Sequence, residues 1–125
     1  MSDNRLEIYL LGGLQIRYND HLVTELVSRK AEALLVYVAC NQRPYPREVL
    51  ADFFWEDRTQ SQATGNLRVV LNSLRRILKP FVTIDRHSVA INRQSHLWVD
   101  VLAFEELLAD FVQTTVVGTE LPPAV

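Results

Sequence analysis

The amino-acid sequence predicts an α+β domain, and three observations support that class. Residues 6–23 alternate apolar and polar positions with a period of two, which is typical of half-buried strands. Three segments between residues 28 and 80 instead repeat their apolar residues every three or four positions, as amphipathic helices do. Two short apolar runs then flank a polar turn over residues 82–91. The predicted order is therefore a small sheet, three helices and a β-hairpin.

The N-terminal sheet is predicted from three short strands. Alternation over residues 6–11 and 14–18 gives the first two, and a glycine pair separates them. Residues 19–20 are the turn dipeptide Asn-Asp, and Leu-Val at residues 22–23 offers a third strand. We expect an antiparallel sheet.

Two helices are predicted next. Ser28 can cap the first, which runs from Arg29 to Asn41 and is apolar around much of its circumference. Prolines at residues 44 and 46 flank a short break, after which the second helix extends from Arg47 to Trp55. One face of this second helix carries Val49, Leu50, Phe53 and Phe54.

The third helix, predicted over Ser61–Lys79, separates an apolar side from a polar one. Pro80 ends it because proline cannot continue a helix. Spacings of four, three and four place Leu67, Leu71, Leu74 and Leu78 on one stripe. At about 100° per residue, the opposite side carries Gln62, Gly65, Val69, Asn72 and Arg76, with Arg68 and Arg75 beside it.

The C-terminal part is predicted to hold the hairpin and one further helix. The hairpin spans Val82–Asn92, and Leu97–Val99 offers another strand. Asp100 is expected to cap an acidic helix, while residues 113–125 show no clear period. The residues expected to face inward on that helix are Val101, Phe104, Leu107, Leu108 and Phe111. We therefore divide the chain into a domain over residues 1–99 and an acidic helix and tail over residues 100–125.

Positive charge is concentrated on the third helix and the hairpin. Residues 58–93 hold seven of the 13 lysine and arginine residues but only one of the 15 acidic residues, Asp85, although the net charge of the chain is −2. A face with this charge is expected to meet a polyanion. The alternative is that these arginines form only a solvated helix surface.

The remaining composition does not indicate an enzyme, a metal site or a cofactor. The three histidines, at residues 21, 87 and 96, have no ligand spacing, and Cys40 has no second cysteine with which to form a disulfide. We expect Cys40, Trp55 and Trp98 to be core residues. The N-terminus has no signal-peptide pattern and no apolar run spans a membrane, so a cytoplasmic location is expected.

A sheet, three helices and a hairpin in this order describe a winged helix-turn-helix, in which the third helix can enter the major groove of DNA. Arginine can pair with guanine and asparagine with adenine through two hydrogen bonds, and Gly65 leaves room for a phosphate backbone. The candidate base-reading residues are Arg68, Val69, Asn72 and Arg76. The candidate phosphate contacts are Arg58, Gln62, Asn66, Arg75, Lys79, Arg86, His87 and Arg93.

Four segments carry a family resemblance. They are residues 10–14 (LLGGL), 28–35 (SRKAEALL), 47–55 (REVLADFFW) and 66–76 (NLRVVLNSLRR). In this order they resemble the DNA-binding domain of SARP-type bacterial transcriptional activators, which have an OmpR-like winged helix, and the likeness covers roughly residues 5–111.

The resemblance implies binding to double-stranded promoter DNA at direct repeats, with subunits in tandem or as a homodimer, and recruitment of RNA polymerase. Members usually continue into a helical activation domain, of which residues 100–125 look like the start. The resemblance is compatible with two interpretations of the chain: a fragment of a longer regulator, or a stand-alone module.

Two other classes of function compete with DNA binding. One is a protein-interaction module that keeps the winged-helix shape and presents its basic face to an acidic protein. The other is a sensory domain for a small ligand, for which the sequence has no feature that predicts a pocket.

Overall fold

The computed structural model describes residues 4–118, with side chains described as far as residue 113, and within that range it is an α+β structure. The predictions for residues 1–3 and for the tail after residue 118 lie outside the described part. In chain order the elements are β1 (Arg5–Tyr9), β2 (Gln15–Tyr18), β3 (His21–Leu22), α1 (Arg29–Asn41), β4 (Tyr45–Pro46), α2 (Arg47–Phe54), α3 (Gln60–Leu78), a 3-10 turn (Lys79–Phe81), β5 (Val82–Ile84), β6 (Ser88–Ile91), β7 (His96–Val99) and α4 (Asp100–Gly118).

The N-terminal strands belong to a four-stranded sheet, called sheet A, with the order β3-β2-β1-β7. β1 to β3 pair antiparallel, as predicted, but β7 pairs parallel with β1, with Leu6 opposite Leu97. The antiparallel pairing predicted for the first three strands is therefore confirmed, and a strand from the far end of the chain extends the sheet in parallel. Asn19 and Asp20 turn the chain between β2 and β3 with φ of 51° and 72°.

A second sheet, called sheet B, has three strands in the order β4-β6-β5. β5 and β6 form the predicted hairpin. The sequence indicates only a proline-flanked break where β4 lies, and Tyr45 there pairs with Val89 of β6. Pro46 ends the strand and also precedes the first residue of α2, so this short strand sets where α2 begins.

The leucine stripe of α3 forms the centre of the core, as predicted. Leu67, Leu71, Leu74 and Leu78 are each at most 2% exposed. The core also contains Phe81, whose ring meets Tyr18 edge-on with centroids 5.2 Å apart. Burial of these apolar side chains on one side of α3 leaves its opposite side to solvent.

Local capping fixes where the helices begin. The Ser28 hydroxyl accepts a hydrogen bond from the Ala31 N–H at 3.2 Å, which confirms the predicted cap of α1. α3 begins at Gln60, one position earlier than predicted, and is capped by Thr59. The Thr59 hydroxyl accepts from the Gln62 N–H at 3.1 Å while the Gln62 side chain accepts from the Thr59 N–H at 3.3 Å, which is a capping box.

Two predictions for α4 are wrong. Asp100 is the first helical residue and does not cap the helix; its carboxylate accepts hydrogen bonds from the backbone N–H groups of Leu10 and Leu11 at 2.9–3.0 Å. Of the five residues expected to face inward, only Val101 is partly buried, because the helix extends away from the sheets. Exposed fractions are 53% for Phe104, 69% for Leu107, 48% for Leu108 and 64% for Phe111. Within the described residues, no helix combines the length and apolarity that a membrane span requires.

Some aromatic residues are also more exposed than predicted. Trp55 is buried, but Trp98 is 40% exposed on the outer side of sheet A, against Tyr9. On α2, Leu50 is buried whereas Val49 is 49% and Phe53 is 61% exposed, because at about 100° per residue these two lie on the flank away from the side buried at Leu50 and Ala51. Cys40 is half-buried, and this burial raises the pKa of its thiol.

Candidate nucleic-acid interface

The four candidate base-reading residues all lie on the exposed side of α3. Arg68, Val69, Asn72 and Arg76 are exposed, and Val69 is 54% exposed despite being apolar. Gly65 lies on the same side, and a Cβ atom added there would meet no heavy atom within 4 Å. The structure therefore presents one continuous polar strip with an open position near its start.

Two contacts mark the edges of this strip. On one edge, Arg75 Nη2 donates to the Ile84 carbonyl of β5 at 3.5 Å. On the other edge, the buried Ser73 hydroxyl accepts from the Val27 N–H at 3.1 Å, which holds the β3–α1 connection against α3. Since successive residues turn by about 100°, Asn72 and Arg76 face outward between these two edges.

The candidate phosphate contacts on α3 are spread along its length. The 19 residues of α3 correspond to about 28 Å at 1.5 Å per residue. Arg58 precedes the helix and Lys79 follows it, so these two cations lie at opposite ends. The Gln62 side-chain oxygen is engaged in the capping box, and only its amide NH₂ group is available to a partner. Asn66 is exposed in the next turn.

The tip of the hairpin projects Arg86 and His87. The Asp85 carboxylate accepts hydrogen bonds from the backbone N–H groups of His87 and Ser88, both at 2.8 Å, which holds the two-residue tip in a tight turn. These two donors keep the pKa of Asp85 below its usual value. Both tip side chains are exposed.

A further cation, which the sequence did not single out, lies at this tip. The Arg47 N–H donates to the His87 carbonyl at 2.9 Å, and Arg47 Nε donates to the Asp85 carbonyl at 2.9 Å. The start of α2 is therefore fastened to the hairpin turn. The pairing of β4 with β6 creates this contact between distant parts of the chain, and no local pattern around Arg47 predicts it.

Arg93 does not lie with the tip of the hairpin. It follows β6 at the opposite end from His87, about 20 Å of extended chain away. The turn that carries it is fixed to the end of α3, because Asn92 Nδ2 donates to the Pro80 carbonyl at 3.1 Å. The basic residues predicted for the hairpin are thus divided between its two ends, and Arg93 belongs with Lys79.

None of the seven basic residues between 58 and 93 has a carboxylate oxygen within 4.0 Å in the part of the chain that the structure describes. The ion pairs found over residues 4–118 join Arg5 to Glu7 and Asp20, and Arg29 to Glu32. The acidic groups of the domain therefore leave the positive charge of α3 and the hairpin unneutralised.

The structure also contains a pocket beside α3, which no feature of the sequence predicts. It lies between the β2–β3 hairpin and the last turns of α3, has a volume of about 450 Å³, and includes Arg76 in its wall. Its apolar lining comes from Tyr18, Leu22, Val23 and Ile77. The pocket forms only when sheet A packs on α3, so the pattern of a single segment does not reveal it.

The described residues hold no group of three or more histidine, cysteine, aspartate or glutamate side chains placed to bind a metal ion. No model of a protein family matches this chain, and no curated protein is significantly similar to it.

Proposed function

We propose that this domain is a winged helix-turn-helix that binds double-stranded DNA and regulates transcription in the cytoplasm. In this proposal α2 and α3 form the helix-turn-helix, α3 enters the major groove, and β5 and β6 form the wing. The observation that carries the proposal is the set of seven basic residues on α3, its flanks and the hairpin, which no carboxylate neutralises within residues 4–118. Cations left free in this way can replace the counterions of a phosphate backbone.

Base reading is assigned to the outward strip of α3. Arg68 and Arg76 suit guanine, Asn72 suits adenine, and Val69 offers an apolar contact for a thymine methyl group. All four are exposed and lie between the hairpin edge and the β3–α1 edge of the helix. The width of the major groove, about 12 Å, admits one helix with this strip turned toward the bases.

Phosphate contact is assigned to three groups of residues. Arg86, His87 and Arg47 lie at the hairpin tip, with Arg75 bonded to the Ile84 carbonyl beside it, and Lys79 and Arg93 lie near the end of α3. Arg58 precedes the start of α3 and forms the third group, with Gln62 and Asn66 close to it in sequence. Cations at both ends of a helix about 28 Å long can contact both backbones that border the groove.

The family resemblance extends the proposal to activation. It implies direct-repeat sites occupied by tandem or homodimeric subunits, and recruitment of RNA polymerase. The exposed apolar residues of α4, among them Phe104 and Leu107, support a helix that packs against further protein.

Selection of bound duplexes from a random pool, followed by fluorescence anisotropy on the selected site, tests this proposal. We expect Arg68→Ala and Arg76→Ala each to weaken binding, with loss of preference at one base position. Arg17→Ala is the matched control, because Arg17 lies on sheet A and donates to the Asp20 carbonyl at 2.8 Å. Equal binding by the three variants would refute the site assignment.

The alternative is a protein-interaction module whose basic face contacts an acidic protein. Under that alternative no selected sequence emerges from the pool, and nonspecific duplex DNA does not compete with the partner. Selection of a defined site would exclude it.

A further inference from the structure

We propose that the pocket between sheet A and α3, called the Arg76 pocket, binds a small amphipathic carboxylic acid. Its volume of about 450 Å³ falls in the range of about 300–1,000 Å³ that is usual for small-molecule sites. No pattern in the sequence indicates this pocket, and the proposed DNA contacts use only one residue of its wall.

The walls of the Arg76 pocket are mainly apolar. Val23 at its base is 8% exposed, and Tyr18 and Ile77 are partly buried against the core. Leu22, which is 50% exposed, lies at the more accessible side. Such a lining binds the hydrocarbon or aromatic body of a ligand by removing apolar surface from water.

Hydrogen bonds hold both walls in place without a ligand. The Arg5 N–H donates to Asn19 Oδ1 at 2.7 Å, and the Asn19 N–H donates to the Arg5 carbonyl at 2.9 Å, so the β2–β3 turn is fastened to β1. The Val27–Ser73 hydrogen bond ties the following connection to α3. A site that is already formed avoids the ordering cost that a flexible loop would add to binding.

Two charged side chains define the polar part of the ligand. The Arg76 guanidinium has no carboxylate within 4.0 Å among the described residues, and a ligand carboxylate can bind it through two parallel hydrogen bonds. Glu25, on the same pocket, accepts one hydrogen bond from the Thr24 N–H at 3.1 Å and retains further acceptor capacity. The ligand class is therefore a molecule with an apolar body, one carboxylate and one N–H or O–H donor.

Ligand binding in this pocket should weaken DNA binding, an inference that rests on the proposed function. Arg76 is both a wall of the pocket and a proposed base reader, so a carboxylate bound to it removes that side chain from the major groove. The ligand and the duplex then compete for one guanidinium.

Ligand binding is tested first without DNA. Indole-3-acetate, which carries all three features, is titrated into ¹⁵N-labelled protein, with tryptophol as the probe that replaces the carboxylate by a hydroxymethyl group. We expect shifts of the amide signals of His21, Leu22, Val23 and Ile77. Arg76→Gln should weaken binding by about tenfold or more, the loss expected when one charge-assisted hydrogen-bonded pair is removed.

Arg68→Gln is the matched control, because it removes the same charge from the same helix outside the pocket. Its affinity for indole-3-acetate should equal that of the unchanged protein. Absence of amide shifts, shifts confined to other surfaces, equal loss in Arg68→Gln, or equally tight binding of tryptophol would each overturn the proposal.

Competition is tested second, on the selected duplex. Saturating indole-3-acetate should weaken duplex binding by about the factor that Arg76→Ala does, while tryptophol should not. Indole-3-acetate bound in the pocket with no effect on the duplex would overturn the competition alone. If no duplex binds, the proposed function is contradicted. The titration without DNA then still tests ligand binding in the pocket.

Discussion

The salt dependence of DNA binding tests how the cations of α3 and the hairpin are used. Arg58, Lys79, Arg86 and Arg93 have no ion pair among residues 4–118, and Arg75 makes only a hydrogen bond to a backbone carbonyl. With Arg47, which bonds only to backbone carbonyls, these residues make six phosphate contacts. Six contacts give a slope of log affinity against log salt concentration of about −5.4, from about 0.9 released counterions per contact. Affinity should therefore fall by roughly a thousandfold or more between about 50 and about 200 mM salt.

Single substitutions show how much each residue contributes to that slope. Arg86→Gln should make the slope shallower by about 0.9, because one phosphate contact at the hairpin tip is lost. Arg68→Ala should instead lower affinity by about 1–3 kcal/mol at one base position with little change in slope. Arg17→Gln is the control, since Arg17 is engaged with the Asp20 carbonyl on sheet A.

The measurement is fluorescence anisotropy of one selected duplex over that salt range, repeated with a duplex of scrambled sequence. The reasoning is refuted if Arg86→Gln and Arg17→Gln change the slope equally. It is also refuted if Arg68→Ala lowers the affinity for the scrambled duplex as much as the affinity for the selected duplex.

Three further predictions concern the stability of the domain. Asp100→Ala should lower the free energy of unfolding by about 1–3 kcal/mol in urea titrations, because two backbone N–H groups after β1 lose their acceptor; an unchanged urea midpoint would contradict it. Leu74→Ala should cost about 2–5 kcal/mol, whereas Val69→Ala on the exposed side should have little effect on the same titration. Asp85→Asn should lower the melting temperature at neutral pH. Since the folded pKa of Asp85 is below its ordinary value of 3.8, the stabilisation is present above that value and is lost as pH falls through the folded pKa, so the two melting temperatures should converge in acid.

The elements that the sequence predicts best depend on local interactions. The cap at Ser28 and the stripe from Leu67 to Leu78 follow from spacings within one helix, and the structure confirms both. The predicted start of α3, Ser61, is one residue late because Thr59 and Gln62 form a reciprocal pair that the apolar pattern does not reveal.

Elements that depend on distant partners were missed or misjudged. β4 has two residues and exists because Tyr45 meets Val89, which no local alternation indicates. The period of α4 predicts that Phe104 and Leu107 face inward, but a period does not tell whether that face packs within the same domain. Both side chains are exposed.

The candidate interface shows the same division. Exposure of Arg68, Asn72 and Arg76 could be predicted, because it follows from burial of the opposite stripe. The separation of Arg93 from the hairpin tip could not, because it depends on a turn fixed to the end of α3. Whether these residues contact DNA stays a prediction.

The parallel pairing of β1 with β7 has a consequence for how the chain folds. Leu10 and Asp100, which follow the ends of the parallel strands β1 and β7, are 90 residues apart, so this contact closes a loop that contains most of the described chain. β1 and β2 can pair early as a local hairpin, but the loop-closure entropy makes the β1–β7 pairing a late event. During synthesis, one edge of β1 stays unpaired until residues 96–99 have left the ribosome, and an unpaired edge is a template for intermolecular association. The N-terminal strands therefore depend on the completed chain for protection against aggregation.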